Sequence, residues 1–223
     1  MQQNNNEIVL ERFNARRRLV HWIHAAAFFV LLGTGLTYIT PGLTFLAEGG
    51  IPGTLHRIFA VVFLAVPLIY LVIDPKGFRE FVRDSLNFEK SDIGFHLRMP
   101  FYILGKTQGI PPQGKLNAGH KLHHIFMGIL FVTLGVSGLI KWLGVGHMGP
   151  AMLNLMGTVH IISVFVITIM TLGHVYFTVV YWALPSMIHG KVTESYVKLE
   201  HRKWWDEELA PKVKGSSEKS QSG

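Results

Sequence analysis

HIISVFVITIMTLGH, the stretch from His160 to His174, decides the fold. No charged residue separates its two imidazoles, and its Ile, Val, Phe and Leu content suits a helix in hydrocarbon. Fourteen positions at about 100° and 1.5 Å each put His160 and His174 within roughly 40° of one helix face and about 21 Å apart. Polar side chains are costly at that depth, so two on one face are a functional signal. One helix can thus serve two sites at opposite membrane depths.

The stretch lies in an uncharged run from Trp142 to Gly190, and three more such runs cover Leu19 to Ala47, Ile58 to Ile73 and Leu122 to Ile140. Only 16% of the 223 residues are charged, against about 25% in a soluble domain. A bilayer core of about 30 Å takes roughly 20 apolar residues per helix. The pattern predicts helices over Leu19 to Thr40, Pro52 to Ile73, Ala118 to Lys141 and Asn154 to Pro185, punctuated by Pro41, Gly42, Gly49, Gly50 and the Gly-rich segment Leu143 to Pro150. The runs are too long, and the arm before Arg16-Arg17-Arg18 too extended, for a secretory leader.

Net charge of +7 and pI near 9.7 could suggest nucleic acid, but the Lys and Arg residues flank hydrophobic runs, which makes them a topology signal. They concentrate in the N-terminal arm, the Asp74 to Asn117 connection and the tail from Lys191, whereas the connections around Glu48 and His147 carry almost none. The positive-inside rule then puts both termini and the long connection in the cytoplasm of a bacterial inner membrane, in contact with lipid. The domain reading is a cytoplasmic arm over residues 1–18, a four-helix membrane domain over 19–190 containing cytoplasmic loop 74–117, and a cytoplasmic tail over 191–223. Phe78, Phe81 and Val82 among charged neighbours predict a short interfacial helix in the loop. The Lys, Ser and Gly content after Leu209 predicts disorder. With no cysteine in the sequence, any redox centre uses other ligands.

On this topology His21 and His174 lie at the cytoplasmic depth, and His56 and His160 at the outer depth. Two bis-imidazole haem sites stacked across the bilayer are the economical reading, with no open iron position and hence electron transfer rather than oxygen chemistry. The alternative is that these histidines bond between helices or line a proton path. His24, one turn from His21, is a rival ligand. His120 and His124 have an i, i+4 spacing that could hold a metal, with His123 beside them, but their basic helix end favours an interfacial role. Gly33, Gly35, Ala60, Gly135, Gly138 and Gly157 could make room for a porphyrin or simply pack helices. The fold class expected is an all-α integral membrane protein, a four-transmembrane-helix dihaem cytochrome b bundle.

Arg18-Leu19-Val20-His21-Trp22, Leu55-His56 with Phe59, Lys115-Leu116-Asn117-Ala118-Gly119, the His160 to His174 spacing with Val175-Tyr176, Lys191-Val192, and His201-Arg202-Lys203-Trp204 together resemble the γ subunit, cytochrome b556, of membrane-bound respiratory formate dehydrogenases. The resemblance reaches to the polar tail and favours His21 over His24. It implies two haem b groups, iron ligated by His21, His56, His160 and His174, and a quinone pocket lined by His174, Asn117 and Gly119. It also implies an iron–sulfur subunit on the periplasmic side and a molybdenum or tungsten catalytic subunit that oxidises formate, leaving no formate-oxidising site on this chain. Menaquinone or ubiquinone would be the acceptor, no nucleic acid is implied, and a higher oligomer of the complex stays open. The family often has Gln where this sequence has His120, which leaves open whether His120 contacts quinone or donates its proton. Quinol formation takes up two protons, and Asn117 can bond a quinone carbonyl while His120 relays a proton. Competing expectations are the b subunit of a hydrogenase or thiosulfate reductase, a His-dependent proton channel or transporter, and a haem-free anchor.

Overall fold

The computed structural model describes residues 7–221, with side chains through Gly215; the first residues of the arm and the last of the tail lie outside that range. Strand β1 (Val9–Glu11) precedes α1 (Ala15–Ile39), a 3-10 segment (Pro41–Ala47) and α2 (Ile51–Ile73). The long connection holds α3 (Pro75–Leu86) and α4 (Lys90–Ile103) before α5 (Ala118–Leu143) and α6 (Pro150–Val180). Helix α7 (Leu184–Ile188), strand β2 (Lys191–Thr193), α8 (Glu194–Glu200), α9 (Arg202–Trp204), a π turn (Trp205–Leu209) and α10 (Ala210–Gln221) complete the chain. Helices α1, α2, α5 and α6 are the four long and apolar enough to cross a membrane. Their outer faces carry bare aliphatic chains, Val72 at 80% and Ile169 at 68% exposure, which suit lipid and not water.

Local chemistry moves several boundaries from the expected ones. Helix α1 starts at Ala15 because the Asn14 side chain accepts from the Arg17 backbone N–H at 2.8 Å, an N-cap that draws the arginines into the helix. Helix α6 starts at Pro150, where a missing N–H costs nothing. It stops at Val180, short of the expected Pro185, because the ring of Pro185 would clash with the Tyr181 carbonyl. Trp182 takes up the break at φ 52°. Pro67 stays inside α2.

The chain divides into two compact units. One contains Phe13–Arg79 and Met127–Trp182. Within it α1 and α2 pack closely, while α6 meets α1 and α2 through imidazoles, and Phe63 of α2 touches Phe131 of α5.

The other unit gathers the arm through Arg12, Glu80–Phe126 and the chain from Ala183. Its strands pair antiparallel with Leu10 opposite Val192, and its core is Val192, Val197, Trp204, Trp205 and Leu209. The expected disorder after Leu209 is corrected here: α10 is helical, and Ala210 and Val213, the apolar residues of its first turns, pack against that core. Helix α4 was not expected. It begins at a capping box in which Glu89 and Asp92 exchange bonds with each other's backbone N–H, and it turns Asp92, Phe95 and Tyr102 inward.

Candidate metal-ligating histidine pairs and the Asn117 segment

Helix α6 brings His174 beside His21 of α1, with ring centroids 6.3 Å apart and planes inclined by 58°. One face of the same helix brings His160 beside His56 of α2, at 6.4 Å and 63°. These separations fit a shared metal. An imidazole nitrogen sits about 2 Å from its metal, and the ring centroid lies about 1.1 Å further out, so two rings on opposite sides of one ion stand about 6 Å apart. Among the described residues no group of three or more His, Cys, Asp or Glu could hold a metal. Two imidazoles per site therefore suit iron whose remaining ligands a porphyrin supplies.

His24 takes a different environment. It stacks on Phe63 at 4.1 Å and 26° and lies near Phe131, and its buried Nδ1 has no hydrogen-bond partner. Among the described residues its ring neighbours are Phe63 and Phe131, and no second imidazole stacks on it.

Two residues that sequence reasoning missed support the second pair. Thr34 Oγ1 lies 2.9 Å from Nδ1 of His56, and Ser137 Oγ lies 3.0 Å from Nδ1 of His160. The glycines proposed as porphyrin space divide. A Cβ on Gly35 or Gly138 would meet the Cε1 atoms of His56 and His160, so these glycines admit the ligand rings themselves. At Gly157 it would meet the Lys141 side chain, at Gly135 it would strike Leu64, and Gly33 faces open space.

In the other unit Asn117 is 7% exposed and caps α5. Its Oδ1 accepts from the His120 backbone N–H at 2.9 Å and lies 2.8 Å from His120 Nδ1. Its own carbonyl accepts from Lys121 at 3.1 Å. With the oxygen committed, the side-chain NH2 is left as a donor. Gly119 faces Asn117, Phe95 and Met99 closely enough that a Cβ would make contact with all three. His124 sits against Phe81 and meets Ser85 Oγ at 2.8 Å, with His123 beside it; among the described residues these histidines belong to no group of three or more that could hold a metal.

The segment before Asn117 is held from both ends of the chain. Arg12 donates to the Lys115 carbonyl at 2.9 Å, His201 Nδ1 to the Gly114 carbonyl at 2.7 Å, and the Lys203 backbone N–H to the Gln113 carbonyl at 3.0 Å. Gln113 Oε1 in turn accepts from the Ala118 N–H at 2.8 Å. Burial pushes His201 well below the usual imidazole value, assisted by Arg12. Burial also lifts Glu200, against the lowering effect of its Tyr102 hydrogen bond and of Arg12. Beneath α5, Lys121 Nζ bonds Asp92 at 2.8 Å and the Asn87 carbonyl at 2.7 Å, with side-chain exposures of 8% and 4% for Lys121 and Asp92. Lys203 pairs with Glu89 at the edge of this region.

The chain matches the prokaryotic cytochrome b561 family over residues 12–190. It is 25% identical over 227 residues to the formate dehydrogenase cytochrome b556 subunit of Haemophilus influenzae, covering 98% of this chain and 92% of that protein. Against the cytochrome b556(Fdn) subunit of the nitrate-inducible formate dehydrogenase of Escherichia coli it is 26% identical over 211 residues, covering 90% and 92% of the two chains. The E. coli formate dehydrogenase cytochrome b556(fdo) subunit is 26% identical over 207 residues, with 88% and 92% covered.

Proposed function

The chain belongs to the prokaryotic cytochrome b561 family, a multi-pass membrane protein whose family implies haem b, and on that premise we propose that it is the quinone-reducing cytochrome b subunit of a formate dehydrogenase complex. The observation that carries the reading is the two imidazole pairs, at 6.3 and 6.4 Å, presented by one face of α6. In this reading His56 and His160 hold one haem b on the outer side of the bacterial inner membrane, and His21 and His174 hold a second toward the cytoplasm. Each haem, when bound, supplies reversible one-electron chemistry between an iron–sulfur donor outside and a quinone, menaquinone or ubiquinone, inside. The names of the relatives support formate as the reductant, and the resemblance implies that a separate molybdenum or tungsten subunit oxidises it. Lys and Arg in the arm, the Asp74 to Asn117 connection and the tail support cytoplasmic termini.

The residues of this chain have defined tasks. His21, His56, His160 and His174 would hold the iron, and two imidazoles at each iron would favour electron transfer over oxygen chemistry. The side-chain NH2 of Asn117 donates to a quinone carbonyl oxygen, with Gly119 leaving space beside it. His120, close to cytoplasmic water, relays protons to the reduced quinone. With formate oxidised outside and protons taken up inside, turnover moves charge across the membrane.

The complex purified in detergent through a tag on this chain tests the partner assignment. Co-purification of an iron–sulfur subunit and a formate-oxidising subunit, with formate bleaching the oxidised b-type absorption, is the expected result. Absorption that responds to hydrogen or thiosulfate but not formate would reassign the partner.

A further inference from the structure

On the reading that His56 and His160 share one iron, we infer that Thr34–Gly35 and Ser137–Gly138 are a repeated positioning device that fixes the tautomer and ring orientation of those two ligands. Thr34 Oγ1 lies 2.7 Å from the Val30 carbonyl and 3.1 Å from that of Leu31. Its single proton goes to a carbonyl, so its lone pair faces Nδ1 of His56 at 2.9 Å. Nδ1 therefore carries a hydrogen, and Nε2 is left with the lone pair that a metal needs.

Helix α5 does the same for α6. Ser137 Oγ donates to the Thr133 carbonyl at 2.6 Å, with the Leu134 carbonyl at 3.3 Å. It accepts from Nδ1 of His160 at 3.0 Å. Each hydroxyl is followed by a glycine that lies against the ring, and at Gly138 the lack of a Cβ is what the ring position requires. A Cβ on Gly35 would stand 3.5 Å from Cε1 of His56, and one on Gly138 would stand 3.2 Å from Cε1 of His160. The first is ordinary contact, whereas the second would push the ring.

Two segments of sequence match at these positions. Leu31, Thr34, Gly35 and Leu36 recur with the same spacing as Leu134, Ser137, Gly138 and Leu139. Hydroxyls that bond back to a carbonyl four residues earlier are common in apolar helices. Here both also reach the ring nitrogen of a neighbouring helix's histidine, which back-bonding alone does not require. Acceptors on Nδ1–H raise the basicity of Nε2 and so favour oxidised iron.

The test is redox titration and low-spin electron paramagnetic resonance of the whole purified complex carrying Thr34→Val or Ser137→Ala, with Thr34→Ser and Ser137→Thr as conservative partners. His56→Ala identifies which spectral component belongs to this pair. Each hydroxyl-free variant is expected to raise the reduced-to-oxidised ratio of that component three- to tenfold at fixed potential, about 28 to 59 mV for one electron. The other component stays put, and the conservative variants keep the wild-type value. Should a hydroxyl-free variant lose this haem while its conservative partner retains it, the inference also stands. It is overturned if the hydroxyl-free variants leave the component unmoved, if both components shift together, or if a conservative variant behaves like the hydroxyl-free one. Absence of b haem from the wild-type complex, or its full retention in His56→Ala, would instead defeat the ligand assignment.

Discussion

Replacement of Asn117 separates two jobs that one side chain performs. Its oxygen caps α5 through the 2.9 Å bond from His120 N–H, and its NH2 is assigned to the quinone. Asn117→Ala removes both. Loss of an N-cap costs about 0.5 to 2 kcal/mol of stability, and loss of a hydrogen bond to neutral quinone costs about 0.5 to 1.5 kcal/mol, a roughly 2- to 13-fold fall in kcat/KM. Asn117→Asp isolates the second effect, because a carboxylate still caps the helix and suits its positive N-terminal end but cannot donate. The expected result is near-normal thermal stability and haem content with quinone turnover reduced at least as far as in the alanine variant. Steady-state reduction of a soluble quinone analogue by the formate-reduced complex, beside a melting curve, measures both. Asn117→Asp with wild-type kcat/KM would remove the amide from the quinone site.

Three further outcomes follow from the same structure. Breaking the buried Lys121–Asp92 pair by Asp92→Asn or Lys121→Met is expected to cost about 3 to 5 kcal/mol, seen as a lower melting temperature, and the double replacement should recover most of it. His201 is held neutral by burial, so below about pH 6.5 the unfolded chain binds a proton that the folded chain refuses and stability falls. The raised value of Glu200 acts oppositely at lower pH, as the folded chain binds its proton first. The hydrogen-exchange protection factors of the Val197–Leu209 region, taken relative to the intrinsic rate at each pH, should therefore fall from pH 7.5 to 5.5, and that fall should be absent in His201→Gln. Single cysteines at Gly49 and His147 should be labelled from outside intact cells and one at Gly215 should not; the reverse pattern would invert the topology.

The membrane helices were legible because charge is so expensive in hydrocarbon that its absence marks each span. The proximity of His21 to His174 and of His56 to His160 followed from depth alone, which an uncharged run and a fourteen-residue interval make readable. Interruptions by local chemistry were less visible. The end of α6 was placed too late because the apolar run continues past Val180, although Pro185 forbids the helix four residues ahead of it. Helix α4 was hidden because its capping box uses Glu89 and Asp92 and its apolar residues Ile93, Phe95, Leu97, Met99, Phe101 and Ile103 alternate as in a strand. The tail looked disordered by composition, since its order depends on Val213 meeting tryptophans elsewhere in the unit. Thr34 and Ser137 gave the weakest signal. Hydroxyls are ordinary in apolar helices, and their meaning rests on histidines 22 and 23 residues away.

Haem quantification with redox titration of the purified complex, in wild type and in His56→Ala and His174→Ala, tests the central assignment most directly. The wild type is predicted to hold two b haems per chain. Each variant, with normal subunit content, should retain one, and the two variants should retain different spectral components, with quinone reduction lost in His174→Ala. A single haem in the wild type, or both haems retained in either variant, would contradict the account.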